Sequence, residues 1–300
     1  RISSTELEFA EDEQSQSVNI LFTNIEQLEP AVNYALGLKL TSSSQRIDVP
    51  ATQENIILIL NTGEGGTLRN PYRLRTFEDL KNMGSLLKPD VTICFKMMED
   101  IDMNNEEWTP FNVEGRYRIN FDGDNHTISN LKCTQGAYPS FFGQLIGSCK
   151  NVTFKDVEIS GYQTPTGVVA GHIPNVVSDT EISNTCVING TVNQVENGRD
   201  HWGTGSVGAI VGDMRTGKIS ECSAKVDVTG EWCVGGLVGQ LVEATIEKSC
   251  YEGSVYSLYS AGGIVGSVHG ALVSDCYSVG NISTLSPNGE FTGPAAGIAA

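Results

Sequence analysis

The second half of the chain repeats itself. The blocks Gly208-Ala209-Ile210-Val211-Gly212, Gly235-Gly236-Leu237-Val238-Gly239 and Gly262-Gly263-Ile264-Val265-Gly266 close on glycines spaced 27 residues apart. A fixed period of this length marks a solenoid, whose units bury their apolar faces only by stacking on neighbours. Taking Gly143, Gly171, Gly212, Gly239, Gly266 and Ala300 as equivalent gives steps of 28, 41, 27, 27 and 34 residues. The two long steps then carry about 14 and about seven extra residues, which are expected to loop out of the stack.

A leucine-rich repeat has a similar period, but its L-x-x-L-x-L-x-x-N signature is missing and no helical stripe recurs. Short β-rich runs broken by Gly and Asn fit a parallel β-helix, with several strands per coil. The general preference of parallel crossovers makes it right-handed. The fold class expected is therefore all-β: a right-handed parallel β-helix over residues 91–300. A linker and capping helix over residues 63–90 precede it, and before them a small Ig-like β-sandwich over residues 1–62.

The helix is placed by Thr76 as N-cap with Asp79 three residues on, followed by Phe77, Leu80, Met83, Leu86 and Leu87 at helical spacing. In the first segment, Ala35-Leu36-Gly37-Leu38-Lys39-Leu40 and Ile56-Ile57-Leu58-Ile59-Leu60 read as strands, as do shorter runs near Leu7 and Val18.

Net charge is −17, which argues against phosphate backbones and anionic membrane surfaces as partners. No run of 18 apolar residues occurs, so no membrane-spanning helix is expected. The opening Arg1-Ile2-Ser3-Ser4 has no apolar signal core, so a secreted protein is expected here in processed form. The last residues, Ala296-Gly297-Ile298-Ala299-Ala300, read as the start of another repeat.

Eight cysteines occur without a C-x-x-C pair, so neither a zinc nor a redox site is indicated. Cys222, Cys250 and Cys276 follow their closing glycines by 10, 11 and 10 residues and are expected to form one internal column of small buried side chains. In a strand, Tyr251 and Tyr277 point opposite to the neighbouring Cys250 and Cys276, so they are expected as an outward aromatic pair. Trp232 and Tyr259 each stand three residues before their repeat's first glycine and should stack on adjacent coils. Such rows can face sugar rings or simply stabilise a sheet. The insertion between residues 193 and 206 adds Asp200, His201 and Trp202, a composition common in recognition loops. These seven side chains are the candidate binding residues.

No catalytic residue is assigned. The four histidines, His126, His172, His201 and His269, form no His-Glu-x-x-His, and no G-x-S-x-G elbow or P-loop occurs. Asp100 with Asp102 and Asp122 with Asp124 could sit at glycosidase-like spacing, but turn chemistry is the favoured reading of both. No cofactor and no metal are expected. Four Asn-x-Ser/Thr triplets begin at Asn125, Asn151, Asn189 and Asn281, and an Asn/Thr-rich coil produces these by composition.

The glycine blocks resemble the GLUG-motif repeat family, best at Gly236-Leu237-Val238-Gly239 and Gly263-Ile264-Val265-Gly266. The family's lead-in is matched by Asn70-Pro71-Tyr72-Arg73-Leu74, Trp108-Thr109-Pro110 and residues 121–128. The segment from Tyr34 to Leu40 resembles the Ig-like leader domain of gut-bacterial surface lipoproteins. The first resemblance implies a bacterial secreted or surface-attached, adhesin-like protein, and some members are IgA-specific metallopeptidases; it supplies no functional residues for the repeats. The function expected is a non-catalytic extracellular binding or adhesion module for a glycan or host protein, located outside the cell or on its outer surface, with lipid anchoring through a removed N-terminal segment as one mode of attachment. Two alternatives are a non-catalytic region of an IgA-peptidase-like protein and a β-helix hydrolase or lyase. A structural spacer is the third.

Overall fold

In a computed structural model of the chain, residues 33–39, 55–61, 65–195, 205–284 and 293–300 are described. Contacts divide the chain into two units, residues 1–70 and 71–300. In the first, Asn33–Lys39 and Asn55–Asn61 pair antiparallel, with Asn33 opposite Asn61 and Leu36 opposite Leu58. The other strands expected in residues 1–62 lie outside the described residues.

The second unit is mostly β, with parallel sheets in a β-solenoid-like arrangement and one short helix. The helix Phe77–Leu86 begins where its sequence signals place it. Thr76 Oγ1 accepts from Asp79 N at 3.2 Å and Asp79 Oδ2 accepts from Thr76 N at 2.9 Å, so both partners satisfy donors that a helix start leaves open. Leu80 and Met83 from this helix are fully buried in the same apolar cluster as Phe95 and Phe121.

The glycine register holds throughout the stack. Val211 pairs with Val238 and Val238 with Val265, two steps of 27, and Ala170 pairs with Val211 across the long step. Bridges at Gln144–His172 and Val265–Ala299 extend it in both directions, and Asn112–Gly143 adds an earlier coil. The extra residues of the long step divide unequally. Eleven positions separate Ala170 from Glu181 where seven separate Val211 from Lys218. Fifteen separate Thr191 from Ser206 where six separate Asp227 from Cys233.

Glycine is required in the block because two limbs of each coil press together there. A Cβ on Gly239 would stand 2.4 Å from Val207 N and 2.6 Å from Gly212 O, both backbone atoms that cannot yield. At the opposite corner the chain turns through left-handed residues. Asn125, Asn151, Asn184, Glu221, Lys248 and Asp275 all have positive φ and occupy equivalent positions in successive coils. Asn is the non-glycine residue that tolerates this conformation best. Asn184 Nδ2 donates to Asn151 Oδ1 at 2.9 Å, and Asn151 Nδ2 to Asp122 Oδ1 at 3.0 Å, which joins coils side by side. Three of the four Asn-x-Ser/Thr triplets thus begin on left-handed corner residues, Asn125, Asn151 and Asn189.

The cysteine column is corrected. Cys222 and Cys276 do share one inward row, but the residue between them is Ser249, whose hydroxyl accepts from Cys222 N at 3.1 Å. Cys250 lies on the neighbouring row, in register with Ser223 and Tyr277. Its spacing of 11 rather than 10 shifts it by one residue, and in a strand one residue reverses the face.

Candidate functional site

Two arrangements on the solenoid combine polar or aromatic side chains from several coils. The first is the aromatic row. Trp232 and Tyr259 stack as their spacing predicts, with ring centroids 4.1 Å apart and planes 9° from parallel. They precede the strands Cys233–Gly235 and Ser260–Gly262, which pair in register. Both rings are half-buried. Rings stacked along the coil direction spend their facing surfaces on each other, so this pair stabilises adjacent coils by about 0.5–1.5 kcal/mol beyond its burial.

Both long surpluses of sequence end just before members of the same row. Residues 196–204 precede Gly205, which stands immediately before Ser206, the partner of Cys233. Residues 285–292 precede Gly293, two positions before Ala295, the partner of Ala261. The row therefore runs Gly205, Trp232, Tyr259, Gly293. Asp200, His201 and Trp202 lie outside the described residues.

The outward tyrosine pair is corrected. Tyr251 is 1% exposed and faces the interior, where its hydroxyl donates to Val226 O and Ser254 O, both at 2.9 Å. Its burial holds the phenol well above the usual tyrosine range, and Asp227 adds to that. Tyr277 is 61% exposed and stands beside Cys250, not beside Tyr251. The shift by one residue that displaced Cys250 explains both.

The second arrangement was not anticipated. The residue after each closing glycine is polar: Gln144, His172, Asp213, Gln240 and Ser267 stand in one register across five coils. Asp213 is 5% exposed. Arg215 Nε lies 2.9 Å from its Oδ2 and 2.8 Å from its Oδ1, with a well-directed hydrogen bond only to the first. Arg215 also donates to Gln240 Oε1 of the next coil at 3.2 Å. His172 Nδ1 sits 3.5 Å from Asp213 Oδ2, and the Tyr138 ring covers the imidazole at 5.5 Å. Across the seam, burial pushes the Cys233 thiol up, Ser267 works against that, and Asp213 adds to it. A buried carboxylate held by a guanidinium is the expected solution for a charge in this position. The signal was legible, since each of these residues directly follows a glycine already aligned.

The carboxylates weighed as hydrolase candidates serve the corners. Asp100 Oδ1 accepts from Thr127 N at 2.8 Å and Asp102 Oδ1 from Asn130 Nδ2 at 2.8 Å. Asp122 Oδ1 takes the Asn151 amide and Asp124 N. Burial works to raise the Asp122 carboxyl, but the Asn151 amide, Asp124 N and Lys150 outweigh it and hold it low. Among the described residues no group of three or more His, Cys, Asp or Glu is placed to hold a metal ion.

Comparison with solved structures gives a likeness over most of the chain. The chain resembles a crystal structure from Bacteroides ovatus described as a putative immunoglobulin A1 protease. The TM-score is 0.57 at 25% identity, covering 79% of this chain and 86% of that one. No protein-family model matches the chain, and no curated protein matches it. The GLUG-motif resemblance thus rests on the residues quoted for it.

Proposed function

We propose that the chain is a non-catalytic, extracellular binding region of a bacterial surface protein, related in role to a region of an IgA-peptidase-like protein. In it, a right-handed parallel β-helix presents the row Gly205–Trp232–Tyr259–Gly293 to a glycan or a host protein. The observation that carries this reading is that both long surpluses of sequence end just before members of that row, beside coils that pair at steps of 27 residues. Rigid scaffolds commonly place recognition on such insertions. The use of Asp100, Asp102 and Asp122 as corner acceptors supports a non-catalytic role.

The test is binding of the intact chain to immunoglobulin A and to a broad glycan array, with a peptidase assay on the same immunoglobulin. Binding is expected without cleavage, and replacing residues 196–204 by a short Gly-Ser link should abolish it while the unfolding midpoint stays put. Cleavage by the isolated chain, or binding indifferent to that replacement, would overturn the proposal.

A further inference from the structure

A separate concavity of about 270 Å³ lies on another corner of the coils, where Gly190, Val226 and Gly253 follow one another. Two of these three residues, Gly190 and Gly253, carry no side chain. Gly190 and Gly253 have φ of 108° and 153°, and a Cβ would stand 2.0 Å from Val157 O in the first and 2.2 Å from Val226 O in the second. No other residue fits either position, so the rim side chains surround a floor of two glycines and the buried Val226.

That rim is polar and built from different coils. Lys225 Nζ and Glu252 Oε1 pair at 2.7 Å with side chains 63% and 58% exposed. Asp227 is fixed by Ser254 N, which donates to its Oδ1 at 2.9 Å. Asn189 is fixed by its amide, which donates to Asp156 Oδ1 at 3.1 Å.

We propose that this glycine-floored corner is a subsite for one residue of a neutral, polyhydroxylated saccharide. Adjacent hydroxyls match an ammonium beside a carboxylate, since each hydroxyl both donates and accepts. The volume is just below the roughly 300–1,000 Å³ of drug-sized sites, which suits a single sugar ring. Two carboxylates against one ammonium disfavour uronates. The proposal goes beyond the aromatic row and does not depend on it, because no side chain is shared.

The experiment titrates the intact, 15N-glycine-labelled chain with neutral gluco-, galacto-, manno- and N-acetylglucosamine oligosaccharides and with an oligogalacturonate. At least one neutral oligosaccharide should shift the Gly190 and Gly253 amides. Lys225→Ala with Glu252→Ala should weaken that binding at least tenfold, while Val176→Ala, exposed and outside the lining of this corner, leaves it unchanged. The pair is exposed, so the double variant should keep the wild-type unfolding midpoint. The proposal is overturned if no neutral sugar shifts those amides at millimolar concentration, if the double variant binds like wild type, or if the uronate binds more tightly. Saccharide binding lost only in Trp232→Ala would overturn it while leaving the aromatic row intact as a binding surface.

Discussion

The ring of Tyr251 occupies the space that a side chain on Gly236 would need. A Cβ on Gly236 would stand 2.4 Å from Tyr251 Cγ and 2.5 Å from Cδ1. In the preceding repeat the equivalent of Gly236 is Ala209, and the residue in register with Tyr251 is Ala224. A large inward ring and a missing side chain thus occur in the same coil, which is how the interior keeps its packing density across unequal residues.

Tyr251→Phe removes a hydroxyl that donates to two carbonyls in the interior. Leaving those acceptors short should cost about 1–3 kcal/mol. Tyr277→Ser, on the exposed side, should stay within about 0.5 kcal/mol. Urea unfolding of both variants checks the contrast, and equal losses would mean that Tyr251 faces outward after all.

Arg215 and Asp213 should respond unequally to truncation. Arg215→Ala strands a buried carboxylate and should cost about 3–5 kcal/mol. Asp213→Ala leaves a guanidinium whose side chain is already 41% exposed and can turn to water, so its loss should be smaller. Denaturant midpoints of the two variants decide this.

Asn184 has φ 45° and its amide donates to Asn151 one coil away. Asn184→Ala should lose about 1–2 kcal/mol of backbone compatibility together with about 1 kcal/mol of hydrogen bond. Asn184→Gly should recover the backbone part alone. Identical losses in the two variants would show that the corner is not left-handed in solution.

Stability should decline at alkaline pH. Burial pushes the Cys133 thiol up to about 11 and the Cys222 thiol up to about 12, and raises Tyr251 as well. These groups stay protonated in the folded chain after the unfolded chain has begun to release its protons. The stabilisation is complete below the unfolded values of about 8.5 for Cys and about 10 for Tyr, and is lost as pH rises through the folded ones. Urea midpoints should therefore fall between pH 9 and 12 (roughly, from those same ranges), and Cys222→Ala should flatten the slope.

Much of this arrangement could be read from the residues because the frame is periodic. Aligning the closing glycines gives the pairing of Val211 with Val238 and of Val238 with Val265. The helix start followed from Thr76 and Asp79. Facing direction was harder. Cys250 looks equivalent to Cys222 and Cys276, yet its offset differs by one, and alternation turns that single residue into the opposite face. The polar seam is marked in the sequence by position alone, because its members, from Gln144 to Ser267, each follow an aligned glycine but share no chemical type. Asp200, His201 and Trp202 belong to an insertion, to which the repeat assigns no register.

The division of the long repeat's surplus between separate corners has a consequence for how such a chain can change. All but one of the extra residues enter between strands, the exception being a one-residue bulge between Ile188 and Thr191, so Glu181–Val195 still pairs with Gly147–Tyr162 on one side and with Lys218–Ser220 and Ser223–Gly230 on the other. Growth at these joints leaves the hydrogen-bonded ladder intact. Variation in what the molecule recognises can therefore accumulate at the joints while the glycine hinges stay fixed.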